Sequence, residues 1–324
     1  MHPIDQPPPA HHRAGGGFRN PPGSPQRDAG AADFARFLLR EMPRAKPPRV
    51  LPEWLVAPAK PDIAAMSENS LCWLGHAAFV INIAGKLVLT DPYLGDVAGP
   101  LGLGPKRFVP PALRADELPR LDAIVISHNH YDHLDTVALR AYRYRAETPV
   151  IAPLGLAPML RKLGFIDVTE LDWWQAWERD GLTLTALPAI HFSGRGALDR
   201  NATLWASFAI AAGARKVWFG GDTAAGPVFA EIGARAGPFD LALVGIGAYT
   251  PPSIMRAVHA DPEEAIAIAR AIRAKAAVGM HWGSIMLTPE DPFEAPVRFR
   301  RAALESQYGE ENAWIMAIGE VRGF

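Results

Sequence analysis

The segment Ser127-His-Asn-His-Tyr-Asp-His-Leu-Asp135 concentrates imidazoles and carboxylates more densely than any other stretch of the chain. Its core, His128-x-His130-x-Asp132-His133, is expected by chance from this composition roughly 5 × 10⁻⁴ times, so its order calls for a chemical reason. His128 and His130 are two residues apart and point the same way in extended chain. Asp132 and His133, adjacent in a turn, can face a second point a few ångströms away. Neutral imidazoles and a carboxylate suit zinc or iron. Two first-row ions bridged by hydroxide make a nucleophile at neutral pH. Further candidates stand at the ends of apolar runs: His191, Asp222 after Trp218-Phe219-Gly220-Gly221, and His281 after Ala277-Val278-Gly279-Met280. Together with the first cluster they give seven candidate ligands (His128, His130, Asp132, His133, His191, Asp222 and His281), more than the roughly four a single tetrahedral zinc takes. His76 reads as a turn residue. His259 reads equally as a cap for the helix that follows and as a group that orients a ligand or meets substrate.

These residues need strand ends to hold them. From about residue 70 onward the chain alternates strands and helices. Strands are predicted at 78–83, 86–90, 123–127, 149–152, 166–170, 182–187, 204–211, 215–220, 240–246, 276–280 and 313–318. Helices are predicted at 136–146, 155–163, 226–236, 261–273 and 293–308. The helix at 261 has the best-defined start: Asp261 as cap, Pro262 at the first helical position and Glu264 three residues on. So many strands for so few helices fit two sheets covered by helices better than one doubly wound sheet. Apolar strands that end in ligands place the chemistry where α/β sheets usually put it.

The N-terminal 30 residues, rich in Pro and Gly, read as a flexible, extended arm. Residues 31–69 read as a strap, with an amphipathic helix over 33–42, leading into the main domain at 70–324. Phe18, Phe34 and Phe37 would let this region rest on a bilayer. The chain has 324 residues, with 33 Lys plus Arg against 34 Asp plus Glu, a net charge of −1. That balance argues against a nucleic-acid partner bound through a broad basic face. The single cysteine, Cys72, excludes an intramolecular disulfide framework and a Cys-cluster metal site. No apolar run reaches the ~18 residues of a membrane span and no signal-peptide pattern opens the chain, so the expectation is a cytoplasmic protein with peripheral contact at the inner membrane surface. No oligomeric state follows from these patterns.

The strings WLGHA (73–77), LTDP (89–92), GPKRF (104–108), VISHNHYDHLD (125–135), ELDWW (170–174), GDT (221–223), DPEEA (261–265) and HWG (281–283) resemble, in this order, the metallo-β-lactamase fold superfamily. Within it they are similar to the branch of the phospholipase D that hydrolyses N-acylphosphatidylethanolamine and its bacterial relatives. The resemblance implies an αββα sandwich of two mixed sheets flanked by helices, with two divalent metal ions at the mouth between the sheets. Zinc is the expected metal, with iron or manganese as alternatives. It implies that His128, His130 and His191 hold one ion, that Asp132, His133 and His281 hold the other, and that Asp222 bridges them. His259 would lie near the substrate phosphate, and Asp91 would orient ligand histidines. With Asp132 and His259 as the catalytic pair, the implied reaction is phosphodiester hydrolysis by a metal-bridging hydroxide, on a phospholipid or a small phosphodiester. The alternatives are a lactone or cyclic-ester hydrolase and a non-enzymatic scaffold or sensor. Ile190, Phe192 and Val258 depart from the mammalian phospholipase where a head group would be read. Phe192, Leu198, Leu204 and Trp205 are candidates for an acyl groove, with a core role the favoured reading for Leu204 and Trp205.

Overall fold

The computed structural model describes residues 9–196 and 198–324, the side chain of Phe34 lying outside the described part. One sheet begins with β1 (Ser70–Gly75), β2 (Ala78–Ile83), β3 (Lys86–Thr90), β4 (Ala123–Val125), β5 (Val150–Pro153) and β6 (Val168–Leu171). The other contains β7 (Ala176–Arg179), β8 (Leu182–Leu187), β9 (Ser207–Ala212), β10 (Arg215–Phe219), β11 (Phe239–Gly245), β12 (Ala274–Met280) and β13 (Ala313–Trp314). The C-terminal β14 (Val321–Gly323) returns to pair with β1, so each sheet has seven strands, in the orders β14-β1-β2-β3-β4-β5-β6 and β13-β12-β11-β10-β9-β8-β7. The two sheets share one plan. Strands β14 to β3 and β7 to β10 are antiparallel, and the strands beyond them, β4 to β6 and β11 to β13, run parallel. This symmetry relates halves of the domain, far beyond the spacing at which short sequence repeats show.

Alternation explains why both sheets are covered. In β1, Leu71 and Trp73 face the layer between the sheets, while Cys72 and Leu74 face the opposite side. That outer side is closed by α2 (Thr136–Ala141) and α3 (Ala157–Lys162), through Leu139 and Leu160. The second sheet is covered by α4 (Val228–Arg235), α6 (Pro262–Ala271) and α7 (Glu294–Glu305), while the short α5 (Pro252–Met255) lies in the connection before α6. Strands buried on both faces lose the apolar–polar alternation of a one-sided sheet. β1 escapes the sequence reading for that reason, since all its residues are buried. β7 escapes it because only Trp177 turns inward, and β14 because it is three residues long. The Asp261 cap forms as expected, its side chain accepting from Glu264 N at 2.8 Å and Glu264 reaching back to Asp261 N.

The strand predicted at 204–211 begins later than expected, at Ser207. Leu204, Trp205 and Ala206 are buried coil ahead of β9, with Trp205 Nε1 donating to Ala189 O at 3.0 Å and Trp173 Nε1 to Trp205 O at 2.7 Å. Leu204 and Trp205 are therefore core, the reading favoured for both from the sequence, and not part of an acyl groove. Cys72 is also core, and burial pushes its thiol up to about 12, so it stays protonated.

The amphipathic segment forms α1 (Ala31–Arg36), which continues as a π-helical turn over Phe37–Glu41. Phe18 and Phe37 are buried, so neither faces outward for a bilayer as the sequence reading has it. The arm over residues 9–30 forms no helix or named strand but runs through tight turns, and it is held to the domain rather than loose. Phe18 N donates to Asn201 O and Ala29 N to Ser253 O. No helix among the described residues is long and apolar enough to cross a membrane.

Candidate metal centre

β4 delivers the first cluster. Its buried run Ala123–Val125 leads through Ile126 and Ser127 into the histidine loop, whose ends Asp91 ties together. The Asp91 carboxylate accepts from Ser127 N at 2.7 Å, from the Ser127 hydroxyl, and from His133 Nδ1 at 2.6 Å. His133 Nε2 is thereby aimed inward, the orienting role expected of Asp91. His133 N and Leu134 N both donate to His130 O, closing the turn that folds Asp132 and His133 back beside His128 and His130. Asp135 then caps α2, accepting from Val137 N and Ala138 N. Gly221 leads to Asp222 with φ +54°, and a Cβ there would lie 2.5 Å from Ser127 Cβ, so only glycine lets the β10 end approach this loop.

The structure brings all seven candidate ligands together. His128, His130, His191 and Asp222 form one group. His76, Asp132, His133 and His281 form a second, and the ligating atoms in each lie within 4.8 Å of one another. Asp222 stands between them. Its Oδ2 is 3.1 Å from His133 Nε2, 3.6 Å from His191 Nε2 and 3.8 Å from His128 Nε2, while Oδ1 is 3.2 Å from His281 Nε2. His281 Nε2 is also 3.4 Å from Asp132 Oδ2. His259 closes the rim, its Nδ1 4.0 Å from Asp222 Oδ2. It lines a cleft of about 240 Å³ with Tyr249, Thr250, Arg256 and Arg298. Asp261 does the helix capping, so His259 is free of that task.

The donor atoms suit cations. Asp222 Oδ1, His133 Nε2 and His281 Nε2 are buried and without hydrogen-bond partners. Each such group left unpaired costs about 1–3 kcal/mol, a cost that a shared cation removes. Burial, the leading cause in each case, lowers His128 and His191 well below the ordinary imidazole range, His130 and His259 to about 4 and His76 to about 3. These imidazoles are neutral at pH 7, the form that ligates. Burial also works against charge at His133 and His281, but Asp222 leads the carboxylates that outweigh it. His133 is held well above its usual value and His281 is raised to about 9. Burial raises Asp132 and Asp222 in turn, yet the imidazoles around them, His133 foremost, keep both well below the carboxylate range.

His76 is the residue that sequence reasoning undervalued. It does sit in a turn, with φ +58°, and its carbonyl accepts from Trp73 Nε1 and His281 N. Its ring also enters the centre, 4.1 Å from the His281 ring, with Nε2 3.0 Å from Asp132 Oδ2. The WLGHA string was its only signal. His191 is oriented by Nδ1 against the carbonyl of Val258 at 2.8 Å. That contact uses backbone, so the Val258 departure leaves it intact. Ile190 is fully buried and cannot read a head group, whereas half-buried Phe192 packs 4.4 Å from the His130 ring. Leu198 is fully exposed on the neighbouring loop.

Two seven-stranded mixed sheets between helices, with histidines and aspartates gathered at their strand ends, define a metallo-β-lactamase-fold protein. The chain belongs to the β-lactamase superfamily domain family, whose pattern matches residues 86–282. It is 40% identical over 248 residues to an uncharacterized protein of Mycobacterium bovis, a match covering 75% of this chain and 66% of that one. It is 39% identical over 232 residues to the N-acyl-phosphatidylethanolamine-hydrolyzing phospholipase D 1 of Caenorhabditis elegans, covering 67% of this chain and 65% of that one. The chain thus spans just under two thirds of the length of either relative. Among solved structures, the isothiocyanate hydrolase from Delia radicum gut bacteria superposes with a TM-score of 0.63 at 21% identity, covering 79% of this chain and 99% of that one. At that identity the likeness is one of fold.

Proposed function

We propose that this protein is a binuclear metal-dependent phosphodiesterase of phospholipase D type, acting on N-acylphosphatidylethanolamine-like lipids. The observation that carries the reading is Asp222, whose Oδ1 faces His281 of one histidine group while its Oδ2 reaches His191 and His128 of the other, as a carboxylate between two cations would. In this reading His128, His130 and His191 hold one ion, Asp132, His133 and His281 the other, and Asp222 both. Zinc is the first candidate, with iron and manganese also suited to a His/Asp donor set. A bound pair of divalent ions supplies Lewis acidity toward a phosphoryl oxygen and a nucleophile from water at neutral pH. The chain's own residues supply the rest. Asp91 and the Val258 carbonyl fix the rings of His133 and His191, and His76 holds Asp132. His259, neutral and at the edge of the cleft, is placed to donate a hydrogen bond to a phosphate oxygen. Arg256 and Arg298 line the same cleft beside Asp261 and Glu264, Arg256 paired with Glu264 and Arg298 with Glu263, so its charged groups are balanced.

The lipid class rests on the similarity to the worm phospholipase D. It is tested by incubating metal-loaded protein with N-acylphosphatidylethanolamine in mixed micelles, with a soluble phosphodiester and with a lactone panel. The expected result is release of N-acylethanolamine from the lipid. Efficient lactone opening with every phospholipid left intact would replace the substrate assignment, and full metal content with no turnover of any ester would favour a scaffold or sensor.

A further inference from the structure

A second group of ligating side chains lies on the N-terminal arm. His11 Nε2 is 2.6 Å from Asp172 Oδ1, and His12 Nε2 is 2.7 Å from Asp172 Oδ2. The three ligating atoms lie within 4.8 Å of one another. The pair is built rather than loose. His12 bridges to Phe18 across a turn closed by Arg13 N donating to Gly17 O, and the His11 ring stacks on Trp173 at 4.1 Å. The carboxylate is mostly buried, and its ion-pair partners among the described residues are these two imidazoles. Trp173 N also donates to Asp172 Oδ1, at 2.8 Å. Two imidazoles and one carboxylate converging on one point make a donor set suited to a first-row divalent ion.

We propose that His11, His12 and Asp172 form a separate divalent-cation site that locks the N-terminal arm onto the domain. The lock has a consequence a few residues on. The arm carries Asn20, whose Oδ1 accepts from His191 N at 2.9 Å. The site is made of residues outside the Asp222 centre and stands whether or not that centre hydrolyses lipids.

The test compares full-length wild type with the double variant His11→Ala/His12→Ala and with the milder Asp172→Asn. Each is equilibrated with zinc and assayed for metal content, with circular dichroism to confirm folding. Wild type should hold about one zinc more than either variant, since the site takes one ion. Because the measurement is a difference, it does not depend on how many ions the Asp222 centre holds. Trypsin provides the second readout, at the exposed Arg13, Arg19 and Arg27 of the arm. Zinc at ten times its Kd for the site should slow cleavage of the wild-type arm about tenfold and leave the variants' cleavage unchanged. Equal zinc content in wild type and variants overturns the proposal, as does arm cleavage that zinc slows equally in all three.

Discussion

Replacing Asp222 with Asn tests the centre at its most connected atom pair. The carboxylate offers one oxygen to His281, at 3.2 Å, and the other to His133, at 3.1 Å, with His191 and His128 beyond. Asn keeps the shape but has one oxygen. Its amide nitrogen is a donor only, so one of the two sides loses its ligand, and the net negative charge disappears from a site that is almost wholly buried. Removing one partner of a buried charge arrangement costs about 3–5 kcal/mol. At about 1.4 kcal/mol per decade, that is a loss of roughly 10²–10⁴ in affinity for at least one ion. Competition with a calibrated chelator measures the affinity, elemental analysis the occupancy, and a soluble phosphodiester the turnover. The expected outcome for Asp222→Asn is retention of the more tightly held ion, loss of the other at micromolar metal, and loss of most activity. Near-normal turnover with full occupancy would refute the bridging role and the binuclear reading built on it.

Metal uptake should release protons. With no ion bound, the carboxylates keep His281 protonated up to about pH 9 and hold His133 above its usual range, so His281 carries a proton at pH 7.5 that ligation through Nε2 must displace. Zinc added to metal-free protein in weak buffer should liberate about one proton per chain or more, the His281 share falling as pH rises through 9; no release would contradict the carboxylate field. His259→Ala should lower turnover roughly 10–100-fold with metal content retained, as loss of a group just outside the ligand set often does. A loss of stability with unchanged turnover per folded molecule would return His259 to a structural role. Gly233→Ala would place a Cβ 2.1 Å from the Ala271 carbonyl oxygen where α4 meets α6. Overpacking of this kind costs about 1–3 kcal/mol or more, visible as a lowered Tm, and an unchanged Tm would show that the two helices separate freely.

The histidine loop was legible in the sequence because its chemistry is local. His128, His130, Asp132 and His133 are joined by a few bonds, and one strand followed by one turn sets their relative positions. The α6 cap was legible for the same reason, Asp261 and Glu264 being one turn apart. His191, Asp222 and His281 were legible as strand-end candidates, but their meeting around one carboxylate was carried only by family resemblance, because it depends on how two sheets pack. The sequence alone could not place His76, whose role exists only once the β1–β2 turn lies against the His281 strand. Nor could it show that Val258 acts through its carbonyl, that Leu204 and Trp205 are core, or that a proline-rich arm is clasped at Asp172. Local patterns fix what one turn or one strand can present. The remaining contacts join residues far apart along the chain, and the burial of both faces of both sheets, rather than any short run of residues, decides which of them meet.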